Sequence, residues 1–125
     1  MDVASQSPPQ QYARARIARA DAGIPFTPAD DHHGVDAVRL HGGPAGATDQ
    51  LTVGRSHFNP GARVDRGAVS GETLYIVVAG ELALQIADEE AALLRVGDSA
   101  YLPKGTTRAL HAGPDGAAIM VIRNP

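Results

Sequence analysis

The feature that most constrains the fold is a series of short apolar segments, separated by glycine and proline, that fills residues 50–125. Each segment has the length of a β-strand, and the breaks between segments carry residue types that form turns. The predicted strands are 51–58, 73–78, 82–86, 91–96, 99–102, 106–111 and 117–122. Many short strands at such spacing indicate an all-β sandwich or barrel.

The pattern inside two strands indicates which surfaces are buried. Leu82, Leu84 and Ile86 alternate with smaller or polar residues, so one face of that strand is expected to be buried. Segment 117–122 is apolar on both faces, as in a strand that is covered on two sides. Because the chain has 125 residues and 43% of them are hydrophobic, it can form one core and one domain.

The N-terminal part is less regular. Residues 1–11 are rich in Ser, Gln and Pro and are expected to form a flexible tail, and 12–49 to form strands and loops that precede a barrel at 50–125. A strand is predicted at 35–40. Segment 12–20 alternates Arg with Ala, which allows an edge strand, the favoured interpretation, or a short Ala-rich helix.

Charge and composition exclude several classes of partner. The net charge of −3 and the isoelectric point near 5.9 argue against nucleic acid and against an anionic membrane. No segment has the length of a membrane span, and the N-terminus lacks the apolar core of a signal peptide. Since there is also no cysteine, we expect a cytoplasmic protein without disulfides.

Five turn residues stand at spacings that resemble the two motifs of the cupin family. They are Gly61 and Gly80 in the first motif, and Gly97, Pro103 and Gly105 in the second. Glycine at 61 and 80 permits tight reversals with positive φ. The resemblance covers residues 50–123 and implies a single-domain double-stranded β-helix, or jelly-roll barrel. It also implies a homodimer in which an N-terminal strand covers the partner's sheet.

The residues that bind metal in this family are replaced. The histidine positions of the first motif fall on Gly67 and Val69 and its glutamate position on Thr73, while the second motif's histidine and asparagine positions fall on Arg108 and Ala112. Glycine and valine supply no ligand, and a guanidinium repels a cation. We therefore expect no metal and no other cofactor. His32, His33, His41, His57 and His111 show no ligand spacing and are interpreted as surface or loop residues.

The resemblance also implies which side chains line the barrel. The inward positions are Gly67, Val69, Thr73, Tyr75, Val77, Arg108 and Leu110. Such a mostly apolar pocket with a few polar groups suits a small molecule. Arg108 is expected to bind a carboxylate, enolate or phosphate. Alternatively, it forms an ion pair with Asp65 or Glu72, or extends to water.

Three further residues are candidates for proton transfer. Tyr75 is expected to donate a hydrogen bond or proton to an oxyanion, unless it only packs in the core. Asp65 shares the parity of positions 67 and 69 and is either a general base or an exposed loop carboxylate. His57 shares a face with Arg55, and the sequence does not decide whether that face is the inner one. If it is, His57 is the best general base.

These residues favour three functional hypotheses in order. The first is a metal-independent isomerase, cyclase or lyase that acts on a small anionic or carbonyl-bearing molecule. The second is a non-catalytic module that binds such a molecule as a sensor or carrier. The third is a metal-dependent oxygenase with non-standard ligands. A fold alone does not decide between them.

Overall fold

The computed structural model describes residues 13–125, and its regular structure is almost entirely β. Seven strands form one antiparallel sheet, with one 3₁₀ turn at Gly43–Ala45. The strands are β1 (Ile24–Phe26), β2 (His32–His41), β3 (Thr52–Ala68), β4 (Glu72–Ile86), β5 (Ala92–Leu94), β6 (Ser99–Leu102) and β7 (Thr107–Asn124). The predicted all-β single domain is confirmed. No helix within 13–125 is long and apolar enough to cross a membrane.

Three long strands bend so that each contributes to both walls of the barrel. In the first wall, residues 52–58 of β3, 117–124 of β7 and 72–80 of β4 pair side by side. In the second wall, residues 63–68 of β3, 107–112 of β7 and 82–86 of β4 pair in the same order. β2 extends the sheet beside β3, with β1 outside it, while β5 and β6 pair with β4.

The bends in β3 and β4 occur at Gly61 and Gly80, which have φ of 73° and 67°. The sequence predicts tight reversals here, and this is wrong in one respect: each strand bends and continues. The pairing register shifts across Gly61 and on each side of Gly80, as at β-bulges. Positive φ lets the backbone turn sharply without leaving the sheet. The predicted break at 113–116 is likewise a bend within β7.

The N-terminal predictions have a mixed outcome. The predicted strand at 35–40 is confirmed and extends over all of β2. The predicted segment 12–20 begins outside the described residues, and 13–20 form neither strand nor helix. Arg16 holds this segment through its side chain, since its guanidinium donates to the carbonyl oxygens of Gly46 and Ala47 at 2.7 and 2.8 Å. β1 was not predicted, because three residues are too few to show an alternation.

The apolar core lies between the two walls, toward one end of the barrel. Its most deeply buried large side chains are Phe58, Leu82, Leu102, Ile119, Val64 and Val77, each less than 2% exposed. Full burial of such a side chain contributes roughly 1.5–3 kcal/mol. Leu82 and Leu84 are buried on one face of β4, as the alternation predicts. The core therefore closes one end of the barrel and leaves the other for polar residues.

An ion cluster on the outer surface joins β2 to β3. His33 Nε2 lies 2.7 Å from one carboxylate oxygen of Asp65, and Arg63 Nε lies 3.1 Å from the other. The hydrogen bond with His33, and then the one with Arg63, lower the pKa of Asp65 below its ordinary value of 3.8. The ionised form of Asp65 is therefore favoured by folding.

We predict that Gly80→Ala destabilises the protein severely. A Cβ at this position would lie 2.2 Å from the carbonyl oxygen of Gly116 and 2.9 Å from Cα of Ala117, in addition to the strain of a positive φ. The expected loss in the free energy of unfolding is about 4 kcal/mol or more. Gly97→Ala is the matched control, since Gly97 also has positive φ but no atom within 4 Å of the added Cβ. It should lose about 1–2 kcal/mol. Equal losses in urea unfolding would contradict the assigned contact.

We predict that Asp65→Asn changes the acid dependence of stability. Because the folded-state pKa of Asp65 is lowered, its stabilising contribution is present above pH 3.8 and is lost as the pH falls through the folded value. The variant should be less stable than the wild type at pH 7, with a difference that shrinks below pH 3.8. Asp88→Asn is the control, because that carboxylate is 97% exposed. A difference for Asp65→Asn that stays constant from pH 7 to pH 3 in urea unfolding would refute the prediction.

Candidate functional site

A cavity of about 270 Å³ occupies the end of the barrel that the core leaves open. Phe58, Leu110 and Ile119 form its apolar part, where it meets the core. Its polar part is formed by side chains from β2, β3, β4, β7 and the loops before β2 and β4. These polar residues are Asp31, His32, Arg39, Thr52, Ser56, Ser70, Thr73, Tyr75, Arg108 and Arg123. The volume is near the lower end of the range for ligand pockets and suits a small molecule.

Arg108 of β7 is the most deeply buried charge of this cavity, at 8% exposure. Its Nη1 donates to the carbonyl oxygens of Gly67 and Asp65 at 3.2 and 3.4 Å, and lies 3.7 Å from the carboxylate of Asp31. A buried guanidinium requires such partners, because an unpaired buried charge is very costly. The counter-charge is thus Asp31, and neither Asp65 nor Glu72 as the sequence suggested.

Tyr75 of β4 meets Arg108 inside the cavity. Arg108 Nε donates to the Tyr75 hydroxyl oxygen at 3.1 Å, and the tyrosine is 5% exposed. Since the hydroxyl oxygen accepts this bond, its own hydrogen remains able to donate to another group. The pair therefore combines a fixed positive charge with a hydrogen-bond donor beside it, an arrangement that stabilises an oxyanion.

Gly67 leaves room for the contact between Arg108 and Asp31. It pairs with Arg108 across β3 and β7. A Cβ at Gly67 would lie 3.4 Å from a carboxylate oxygen of Asp31 and 3.7 Å from Nη1 of Arg108. A larger side chain here would enter the space between the two charged groups. Gly67 thus contributes to the site by having no side chain.

Asp31 and His32, at the start of β2, form a hydrogen-bonded pair that also lines the cavity. His32 Nδ1 lies 2.7 Å from the Asp31 carboxylate. Because a carboxylate only accepts, Nδ1 carries the hydrogen and Nε2 is free to accept a proton. The side chains of His32 and Asp31 are 22% and 34% exposed, so the pair remains accessible from solvent. Asp31 links His32 to Arg108.

Five of the residues that the sequence assigned to the barrel interior line the cavity: Val69, Thr73, Tyr75, Arg108 and Leu110. Val77 points inward but lies deeper, in the core, opposite Ile119. The face of His57, which the sequence left open, is the outer one: Ser56 and Phe58 line the cavity, so the alternation of β3 turns His57 outward, where it is exposed, and its candidate role as a general base is wrong.

The candidate role of Asp65 as a general base inside the barrel is wrong as well. Between the pairs that Val64 and Gly67 form with β7, two residues of β3 face only one of β7, so a bulge breaks the alternation that gave Asp65 the parity of Gly67. Its side chain therefore points outward to His33 and Arg63. Only the backbone of Asp65 belongs to the site. Its carbonyl oxygen accepts a hydrogen bond from Arg108, and its N–H donates to the carbonyl oxygen of Asp31 at 2.8 Å.

Four charged or titratable cavity residues were missed by the sequence interpretation: Asp31, His32, Arg39 and Arg123. A signal existed for two of them. Arg39 follows Val35 and Ala37 at alternate positions, and Arg123 follows Ile119 and Val121 in the same way, so each arginine continues an inward face. Asp31 and His32 carry no such signal, because they lie where a loop becomes a strand.

The residues present do not fit the metal of the cupin family. Within 13–125, no three His, Asp or Glu side chains converge as a metal site requires. At the second motif's histidine position stands the guanidinium of Arg108, which is positively charged. The only carboxylate that lines the cavity in this part of the chain, Asp31, contacts that guanidinium.

Known proteins resemble this chain in sequence and in fold. No protein-family profile matches it. A β-D-galactosidase of Mycobacterium tuberculosis is 35% identical over 94 residues, which are 75% of this chain and 80% of that protein. The polyketide cyclase RemF of Streptomyces resistomycificus has a TM-score of 0.76 at 17% identity, covering 90% of this chain and 80% of the cyclase.

Two further structures share nearly the whole barrel. An RmlC-like cupin of Shewanella frigidimarina has a TM-score of 0.71 at 19% identity and covers 90% of this chain and 92% of its own. KdgF of a Halomonas species has a TM-score of 0.70 at 17% identity, with coverages of 90% and 96%. Together with the spacing of the motif glycines, these likenesses show that the chain has the cupin fold, and its 35% identity over most of the mycobacterial protein shows that it belongs to the same family as that protein.

Proposed function

We propose that this cupin binds a small anionic or carbonyl-bearing organic molecule and catalyses proton transfer on it without a metal, as in an isomerase, cyclase or lyase. The observation that carries the proposal is the bond from Arg108 to Tyr75 inside the cavity, with the Asp31–His32 pair beside it. A base, a hydrogen-bond donor and a fixed positive charge line one small cavity. These are the groups that abstraction of a proton next to a carbonyl requires.

The chemistry follows from the roles of these groups. Nε2 of His32 takes a proton from the carbon next to the carbonyl, and the C–H electron pair forms the C=C bond of an enolate. Asp31 accepts the hydrogen bond from Nδ1 and stabilises the imidazolium that results. The Tyr75 hydroxyl donates to the enolate oxygen, and Arg108 stabilises its negative charge. Return of the proton to the opposite face of the same carbon gives an epimer. In elimination, the electron pair of the enolate forms a C=C bond with the β-carbon, and the β-substituent leaves with its bonding electron pair.

The similar proteins support small-molecule chemistry of this kind in a cupin barrel. RemF is a polyketide cyclase, and a DMSP lyase of Ruegeria pomeroyi also shares the fold, with a TM-score of 0.66 over 73% of this chain and 47% of its own. At identities of 17% and 22% they support the architecture and not a particular substrate.

We predict that His32→Gln abolishes α-proton exchange and that His57→Gln leaves it unchanged. Pyruvate, D-galacturonate and D-galactose would be incubated with the protein in D₂O and EDTA, and the loss of α-proton signals followed by NMR. The rate for the substrate that exchanges should fall about 100-fold or more in His32→Gln and about 10-fold or more in Tyr75→Phe. His57→Gln is a matched control, because it makes the same change on the outer face of β3.

The outcomes separate the main alternatives. Exchange that survives in His32→Gln would refute the role of His32. Exchange that is absent in EDTA and starts when iron, manganese, zinc or nickel is added in excess of the EDTA would favour metal chemistry. Binding of a carbonyl compound by calorimetry without any exchange would favour the non-catalytic sensor or carrier, in which the same cavity only holds its ligand.

A second candidate function is glycoside hydrolysis, which the relative from Mycobacterium tuberculosis favours. Most glycosidases use two carboxyl groups on either side of the glycosidic bond. In residues 13–125 only one carboxylate, Asp31, lines the cavity. The test is release of 4-nitrophenol from 4-nitrophenyl β-D-galactoside. We expect no release above background; release that disappears in Asp31→Asn would establish the second candidate in place of the first.

A further inference from the structure

The cavity contains more positive than negative charge. Three arginines line it, Arg39, Arg108 and Arg123, against the single carboxylate of Asp31 in the described part of the chain. Asp31 lies 3.7 Å from Arg108. Within residues 13–125, no carboxylate lies within 4 Å of Arg39 or Arg123. The charge of these two arginines is therefore available to a ligand.

Arg39 and Arg123 come from strands on either side of β3. Arg39 of β2 pairs with Gly54 of β3, and Arg123 of β7 pairs with Thr52, two residues earlier. Because one strand separates β2 from β7, their backbones are about 10 Å apart. Gly54 adds no side chain between them, and an added Cβ there would lie 4.0 Å from Nε of Arg39. The inner face of β3 thus leaves a gap between two guanidinium groups.

Within residues 13–125, the contacts of both arginines orient them and leave N–H donors without a partner. The guanidinium of Arg39 stacks over the ring of Phe26 at 4.7 Å, a contact that uses its face and leaves its N–H edge for hydrogen bonds. Nη2 of Arg123 donates to the Ser70 hydroxyl, which uses one of its five N–H donors. Both side chains are partly buried, so solvent screens their charge less than it would at the surface.

The two arginines lie next to the groups of the proposed reaction. Arg123 pairs with Thr73 of β4, two residues before Tyr75, and Tyr75 itself pairs with Val121. On the inner face of β4, the tyrosine that contacts Arg108 is therefore the next residue after the one that pairs with Arg123. A ligand that contacts Tyr75 with one end can extend along the inner face of β7 and β3 toward Arg39.

We propose that Arg39 and Arg123 bind a carboxylate of the substrate, and that this cupin acts on small organic acids. The carboxylate lies between the two guanidinium groups, which match its planar geometry, while the carbonyl that becomes an enolate lies at Arg108 and Tyr75. This inference rests on the proposed function, because it assigns the substrate class of the same cavity. It adds a binding group that takes no part in the proton transfer.

The test compares each acid with its neutral counterpart by isothermal titration calorimetry. D-galacturonate is paired with D-galactose, pyruvate with pyruvamide, and inorganic phosphate is titrated separately. Wild-type protein should bind at least one acid about 10- to 100-fold more tightly than its neutral counterpart. That preference should disappear in Arg39→Gln and in Arg123→Gln. Arg55→Gln, which removes the same charge from the outer face of β3, should keep it.

Several outcomes would overturn the inference. One is a wild-type protein that prefers none of the acids. Another is a preference that survives in both glutamine variants, which would locate the carboxylate elsewhere, for instance at Arg108, and would leave the proposed function intact. Phosphate that binds more tightly than any acid and depends on both arginines would replace the carboxylate by a phosphate group.

A second variant and a separate readout keep the test of the carboxylate site independent of folding and of the proposed reaction. Arg39→Lys retains the charge beside Phe26 and should keep part of the acid preference, so a folding defect in Arg39→Gln does not prevent the test. The readout is binding, whereas the proposed function is read from α-proton exchange. Acid preference without exchange would refute the reaction and support the carboxylate site. Exchange without acid preference would support the reaction and refute the carboxylate site.

Discussion

The buried guanidinium of Arg108 is the constraint on which the organisation of the site depends. A positive charge at 8% exposure requires partners from several directions, and three parts of the chain supply them. Asp31 provides the carboxylate from the loop before β2, Tyr75 provides a hydroxyl from β4, and the bulge of β3 provides two carbonyl oxygens. Loss of any of these partners would leave the buried charge of Arg108 less compensated, which destabilises the fold and therefore favours their present positions.

The bulge of β3 shows how backbone and side chains share this task. An extra residue between Val64 and Gly67 turns the Asp65 carboxylate outward, to the surface cluster with His33, and leaves the Asp65 carbonyl oxygen near Arg108. The glycine at the end of the bulge provides the space that Asp31 and Arg108 occupy. In the cupin motif that the sequence resembles, this position is a metal-binding histidine, and here a glycine leaves the space to an ion pair.

Much of the fold could be predicted from sequence, because turn glycines and strand alternation act locally. The motif spacing indicated the positive φ of Gly61 and Gly80, and the resemblance to cupins implied that Tyr75 and Arg108 lie inside. Parity could not place Asp65, since an inserted bulge residue is invisible in the pattern.

The remainder of the site depends on packing between distant segments. His57 lies on a strand with side chains of similar character on both faces, so the pattern did not determine the inner one. Asp31 and His32 join the cavity only because β2 pairs with β3 at Val64 and Arg63, a contact across 30 residues or more.

The strands β3, β4 and β7 each pass from one wall of the barrel to the other. Neither wall can therefore unfold alone, because each contains parts of the same three strands. Opening of the polar end would break pairing that also holds the apolar end, so the cavity inherits the cooperativity of the whole barrel. The three-residue strands β1 and β5 each pair with one neighbour, so they can separate at smaller cost.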